Sequence, residues 1–130
     1  MSEEGESDRL DSEQPAVRVL DLPAPPDSAS EEQPPWRVVA HSKKVVQGWL
    51  DLCQQIPNNA VRCYEWLQAH PMRRIPGRCY TLKHSRYAGC WAFEIGSGQR
   101  VYYKPKEDTR EVLVFYAGPH PIKIPSPPKE

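Results

Sequence analysis

The apolar positions of this chain change their period along its length. Trp36-Arg37-Val38-Val39-Ala40-His41 follows Pro34-Pro35 and reads as a short strand. From Ser42 the spacing becomes helical. Val45, Val46, Trp49, Leu50, Cys53 and Ile56 share one face of a helix over 43–56, with Ser42 as its N-cap. Pro57-Asn58-Asn59 interrupts it, and Asn58 or Asn59 is placed to cap a second helix carrying Val61, Tyr64 and Leu67 on one side. That helix ends at His70, because a residue preceding proline resists the α region. Residues 71–90 form a basic, loop-rich connection with strand character at 79–83. Beyond it the sequence shows three strands, 91–95, 99–104 and 111–117. Gly96-Ser97-Gly98 turns the first into the second, and Gly118-Pro119 ends the third. The order β-α-α-β-β-β predicts an α+β fold, two helices packed on one face of a mostly antiparallel sheet.

Alternation within the strands assigns the two faces. Trp91, Phe93, Ile95, Val101 and Tyr103 suit the helices, which leaves Ala92, Glu94, Arg100, Tyr102 and Lys104 on the opposite, open face. On the last strand the same rule gives Leu113, Phe115 and Ala117 to the helices. Val112, Val114 and Tyr116 then oppose them, and parity carried through Gly118 brings His120 to the open face as well. Glu94, Arg100, Tyr102, Tyr116 and His120 thus converge. Such a set suits phosphodiester chemistry: arginine clamps a phosphate bidentately, histidine gives a proton to a leaving oxygen, and tyrosine stacks a base. Each residue also has a plainer role. Glu94 and Arg100 make a cross-strand pair, the tyrosines are good strand formers, and His120 is a surface residue beside Pro121.

Charge adds a partner to this picture. Residues 1–35 carry ten acids against Arg9 and Arg18, whereas residues 36–130 carry fifteen Lys/Arg against seven acids. A basic domain points to an anionic partner, most often a nucleic acid. Arg73, Arg74, Arg78, Lys83, His84 and Arg86 crowd the 71–90 connection and are the candidate phosphate contacts. The first 35 residues contain no aromatic residue and are rich in Glu, Asp, Ser and Pro. They are expected to stay out of the core as a disordered acidic tail, and their charge suits them to shade the basic groove. One stretch, 16–22, alternates like a strand and is able to pair with a sheet edge. The domain then covers 36–122, and 123–130 is a Pro-rich C-terminal extension.

Cys53, Cys63, Cys79 and Cys90 have no C-x-x-C spacing and read as reduced, partly buried thiols, although a helical hairpin would bring Cys53 and Cys63 face to face. No Asp/His cluster suggests a metal, and no cofactor is expected. No apolar run approaches the ~20 residues of a membrane span, and the N-terminus lacks the basic and apolar regions of a signal peptide. The expected location is the cytoplasm.

Leu82-Lys83-His84, Gly89, Trp91 and Arg100-Val101-Tyr102-Tyr103 together resemble the C-terminal half of toxins of the RelE/ParE superfamily, nearest the RelE and YoeB branch. With the strand-helix-helix-meander order, the resemblance covers about residues 36–121. It implies a small α+β mRNA endonuclease, usually ribosome-dependent and usually held inactive by an antitoxin protein. Arg100 matches the family's phosphate-stabilising arginine, Lys83 a basic residue of the substrate groove, and His120 the general acid. Two positions depart from the pattern. Tyr80 stands where YoeB-like toxins place a general-base glutamate, just before the Leu-Lys segment, and Pro121 stands where a tyrosine follows their histidine. Glu94 is then the replacement base by parity rather than by family match. The resemblance leaves open a non-catalytic RNA- or protein-binding relative and a ParE-like toxin directed at DNA gyrase.

Overall fold

Ser42 opens the first helix, its hydroxyl accepting the Val45 N–H at 3.4 Å. The structure, a computed structural model, describes residues 19–26 and 35–128. Helix α1 (Lys43–Gln55) buries Val45, Trp49 and Leu52, which lie at i, i+4 and i+7 and so on one stripe. Leu50 falls off that stripe and is 41% exposed, a correction to the face expected from sequence. Helix α2 (Pro57–Ala69) starts on Pro57 and has no side-chain cap. A proline at the first helical position has no N–H to cap, and Asn59 is used elsewhere: its Nδ2 donates to the Ile95 carbonyl at 2.7 Å. The helix stops before Pro71, as the sequence predicts.

Six strands form one sheet: β1 (Leu20–Asp21), β2 (Arg37–Ala40), β3 (Cys79–Thr81), β4 (Trp91–Gly96), β5 (Gln99–Lys106) and β6 (Glu111–Pro119), in the order β1-β2-β6-β5-β4-β3. The expected α+β layout is present, with β1 and β3 added at the two edges. β2 runs parallel to β6, from Arg37 opposite Glu111 to Ala40 opposite Val114, and every other pair is antiparallel. A parallel pair needs a long crossover, and here the helical hairpin and the meander supply it.

Each face of the sheet carries a core. On the helix side Trp49, Leu52, Cys63 and Leu67 meet Val38, Phe93, Ile95, Val101, Tyr103, Val112 and Val114. On the far side Tyr87, Cys90, Ala92, Tyr102 and Phe115 cluster, with Tyr80, Leu82, Tyr116 and Ile124 against them. The far face is thus a second apolar layer and not an open surface. Parity fails on β6 for a local reason. Tyr102 pairs with Tyr116 but Tyr103 pairs with Val114, so Phe115 is an extra residue in a β-bulge. Val112 and Val114 therefore face the helices and Phe115 faces away, the reverse of the sequence expectation. Beyond the bulge the phase is restored, and Tyr116 and Ala117 stand where alternation puts them.

The domain boundary expected at residue 35 also moves. Leu20 pairs with Ala40 and Asp21 with Val39, and Leu22 is 2% exposed within the helix-side core. The carbonyl of Leu22 accepts the Tyr64 hydroxyl at 3.3 Å, and that of Pro23 accepts Trp49 Nε1–H at 2.7 Å. Two ring donors of the helices find their acceptors in this strip, so it folds with the domain despite its acidic surroundings. Arg37 locks the edge by pairing with Asp21 at 2.7 Å and Glu111 at 3.3 Å. The remaining expectations for the acidic tail fall on 1–18 and 27–34, outside the described residues.

All four cysteines are thiols, and burial pushes the Cys63 thiol well above its ordinary pKa. Among the described residues no helix is long and apolar enough to cross a membrane.

Candidate functional site

The β3–β4 register sets Tyr80 opposite Ala92 and so diagonal to Glu94. Its hydroxyl donates to Glu94 Oε2 at 2.5 Å. Arg100, on β5, approaches the other carboxylate oxygen, with Nη2 at 3.7 Å from Oε1. Its Nη1 donates to the carbonyls of Gly96 at 3.0 Å and Gln99 at 2.9 Å. The guanidinium is thereby fixed against the β4–β5 turn, its side chain 13% exposed and that of Glu94 31%. Burial, then the bond to Glu94, pushes the Tyr80 hydroxyl up to about 12. A phenol held neutral in this way donates its proton to the carboxylate rather than competing with it for charge.

Beside this trio the rings of Tyr102 and Tyr116 lie 5.6 Å apart, and those of Tyr102 and Phe115 6.3 Å apart. Burial raises the pKa of both phenols, while Arg100 works against the rise at Tyr102. The Tyr116 hydroxyl donates to the carbonyl of Pro119, the last residue of β6. His120 follows. Its backbone N–H donates to the Gly98 carbonyl at 2.8 Å, and its exposed ring keeps Nδ1 within 3.0 Å of the Pro121 carbonyl. Since Gly98 belongs to the turn that holds Arg100, the histidine stands at the same end of the sheet as Glu94 and Arg100. Four of the five residues expected to converge are thus tied in two pairs, Glu94 with Arg100 and Tyr102 with Tyr116, and His120 joins them through the shared turn. Tyr102, expected on an open face, is 4% exposed in the far-side core.

The basic connection is not gathered in the same way. Lys83 follows β3 beyond the start of β4, where Leu82 N–H meets the Cys90 carbonyl. That is about five strand positions from Glu94, roughly 16 Å at 3.3 Å per residue. His84 and Arg86 belong to the same end, where His84 has φ 38° and introduces a 3₁₀ turn at Ser85–Tyr87. Arg86 lies 5.4 Å over the Tyr87 ring. Arg74 lies instead 6.0 Å from the Trp91 ring and bonds the Thr81 hydroxyl at 2.9 Å. Arg78 lines a cleft of about 230 Å³ between α2 and β4, with Arg62, Trp66, Ile75, Phe93 and Ile95. Arg73 is exposed on the loop after α2. The cations expected to form one groove thus divide between the two sides of the sheet.

Tyr80 is the participant that sequence reasoning used only as a departure from a motif. Its parity against Ala92 on a neighbouring strand was the signal, but a three-residue edge strand gives too little alternation to fix a register. Among the described residues no three His, Cys, Asp or Glu side chains gather as a metal site requires. Comparison of the chain with models of known families gives no match, and comparison with curated proteins gives none either.

Proposed function

We propose that this protein is a RelE-type endoribonuclease that cleaves mRNA without a metal, acting in the cytoplasm in association with the ribosome and restrained by a cognate antitoxin. The observation that carries this reading is the pairing of Glu94 with Arg100 at 3.7 Å beside the Tyr102–Tyr116 ring pair, with His120 at the same end of the sheet. The sequence resemblance over residues 36–121 supplies the reaction class. In the step proposed, a ribose 2′-oxygen attacks the adjacent phosphorus and Glu94 takes the 2′ proton. The P–O5′ bond breaks as His120 hands a proton to the departing 5′-oxygen, leaving a 2′,3′-cyclic phosphate. Arg100 opposes the charge gathered on the phosphate oxygens, and Tyr80 holds the carboxylate in place. Tyr116, half-buried against the buried ring of Tyr102, offers ring surface to a base.

The test is to incubate the full chain with ribosomes and a defined mRNA, map the 3′ ends, and repeat with Glu94→Gln. Discrete new ends that disappear with the variant support the reading. A second reading, a non-catalytic binding relative, draws on the two carbonyls that already engage Arg100. Such a protein would protect the same mRNA region without generating ends, and the absence of any new end on the ribosome would decide for it.

A further inference from the structure

The C-terminal segment does more than terminate the chain. After His120 it turns back over the far face, where Ile124 packs against the cluster of Tyr87, Cys90, Ala92, Tyr102 and Phe115. The Tyr87 hydroxyl clamps it by donating to the Ile124 carbonyl at 2.9 Å. Between this segment and the 3₁₀ turn lies a cleft of about 350 Å³, lined by Arg86, Tyr87, Lys123, Ile124, Pro125 and Ser126. Arg86 Nη2 is 3.4 Å from Ser126 Oγ, which ties the two walls together. Among the described residues no carboxylate lines the cleft. Among the described residues neither Arg86 nor Lys123 has an ion-pair partner. Two exposed cations and a hydroxyl around an uncompensated pocket select an anion with several oxygens, and arginine's planar fork suits phosphate.

Resting on the ribonuclease reading above, we propose that this cleft is a phosphate-binding subsite for single-stranded RNA, with Arg86 and Lys123 as its cations and Ser126 as a neutral donor. The placement fits a strand that runs along the far side of the sheet. The cleft borders Tyr87, at the Cys90–Trp91 end of β4, whereas Glu94 and Arg100 occupy the other end, roughly one short strand away. A chain bound at both would lay its backbone past Ile124 and the tyrosine pair. The segment that carries Lys123 also carries His120, so one stretch of backbone links the subsite to the proposed proton donor.

The experiment measures affinity of the full chain for a labelled single-stranded oligoribonucleotide by fluorescence anisotropy over a series of salt concentrations. The variants are Arg86→Gln, Lys123→Gln, their combination, and a control, Lys43→Gln with Lys44→Gln, which removes two exposed charges from α1. Each cleft variant is expected to weaken binding several-fold at low salt. Each should also flatten the dependence of log affinity on log salt by about 0.7, the double by roughly 1.4. The control should leave the slope close to wild type, and circular dichroism should be the same for all. A double variant that binds like the wild type overturns the subsite and leaves the ribonuclease reading standing. An equal loss in the control also overturns it, because the effect is then one of net charge. A wild-type chain that does not bind RNA at low salt overturns the subsite, while the ribonuclease reading is decided separately by the 3′-end mapping on ribosomes.

Discussion

Tyr80 and Glu94, fourteen residues apart, meet across the β3–β4 pair through a hydrogen bond of 2.5 Å, with the phenol as donor. The contact joins an edge strand to the ion pair with Arg100, so one side chain bears on the folding of the sheet's rim and on the candidate site. It also holds the phenol neutral to high pH. The folded-state pKa is raised to about 12, from an ordinary value of 10, by burial first and by Glu94 second.

The sign of the consequence follows from linkage. A raised pKa means the folded state holds the proton more tightly than the unfolded chain. The stabilisation is therefore complete below about pH 10 and is lost as pH rises toward about 12. Tyr80→Phe removes this component, so its melting temperature should fall less steeply across that window than the wild type's. Tyr64, Tyr102, Tyr103 and Tyr116 also have raised pKa values and will sustain part of the decline in both proteins. Parallel declines in the two proteins would show that folding does not raise the Tyr80 pKa and so would remove this component.

Arg100 and His120 call for different substitutions. Arg100 is largely buried and bonds two carbonyls of the β4–β5 turn, so alanine would disturb the hairpin as well as any chemistry. Arg100→Lys keeps the charge and loses the fork. His120 is exposed, and His120→Ala leaves its backbone bond to Gly98 intact. Each change is expected to slow RNA cleavage by about 10²–10⁴ with the melting temperature of His120→Ala unchanged. Cleavage at wild-type rate in both variants would remove these residues from the reaction.

What the sequence disclosed depended on how many residues each signal spans. The helical stripe of α1 extends over thirteen residues and was legible, although Leu50 and Leu52 exchange roles at its margin. On β4 and β5 alternation placed Glu94, Arg100 and Tyr102 on their observed face. On β6 it failed from Val112 to Phe115, because one bulged residue reverses every side chain on the far side of it. A bulge has no composition of its own here; Phe115-Tyr116 reads as ordinary strand. The strip around Leu22 was legible in part: alternation over 16–22 marked a strand able to pair with a sheet edge, and Leu20–Asp21 pairs with β2. Its place in the core was not legible, because the carbonyls of Leu22 and Pro23 matter only once the helices that need them are in place.

Close packing of α1 on β6 makes Gly48 an unusual position. Glycine within a helix normally costs about 1 kcal/mol relative to alanine, so Gly48→Ala would ordinarily stabilise. Here a Cβ would press into the carbonyl oxygen of Ala117 and lie 3.2 Å from its carbon, both backbone atoms of a central strand. Gly48→Ala is therefore expected to destabilise by ~1–3 kcal/mol in urea denaturation, the usual cost of overpacking. The exposed neighbour Gln47→Ala should stay within ~0.5 kcal/mol. An alanine variant as stable as the wild type would mean the helix lifts off β6 at little cost.

The N-terminal region separates into parts that truncation can tell apart. Residues 1–18 carry six acids and two arginines, whereas Leu20 to Pro23 supply a strand pair, a core side chain and two acceptors. Removing 1–26, or substituting Leu22→Ala, should cost ~2–5 kcal/mol in folding stability, as for other large buried side chains. Removing 1–18 alone should leave the unfolding midpoint unchanged. It also subtracts negative charge tethered to a basic domain, so RNA affinity should rise at low salt and the gain should shrink as salt increases. A cut at residue 35 would mix these effects, because the loss of Leu22 would loosen the fold that presents the cations. Unchanged affinity at low salt after removing 1–18 would show that the acidic residues do not shield the domain. An unchanged midpoint for Leu22→Ala would show that the strip rests on the helices without stabilising them.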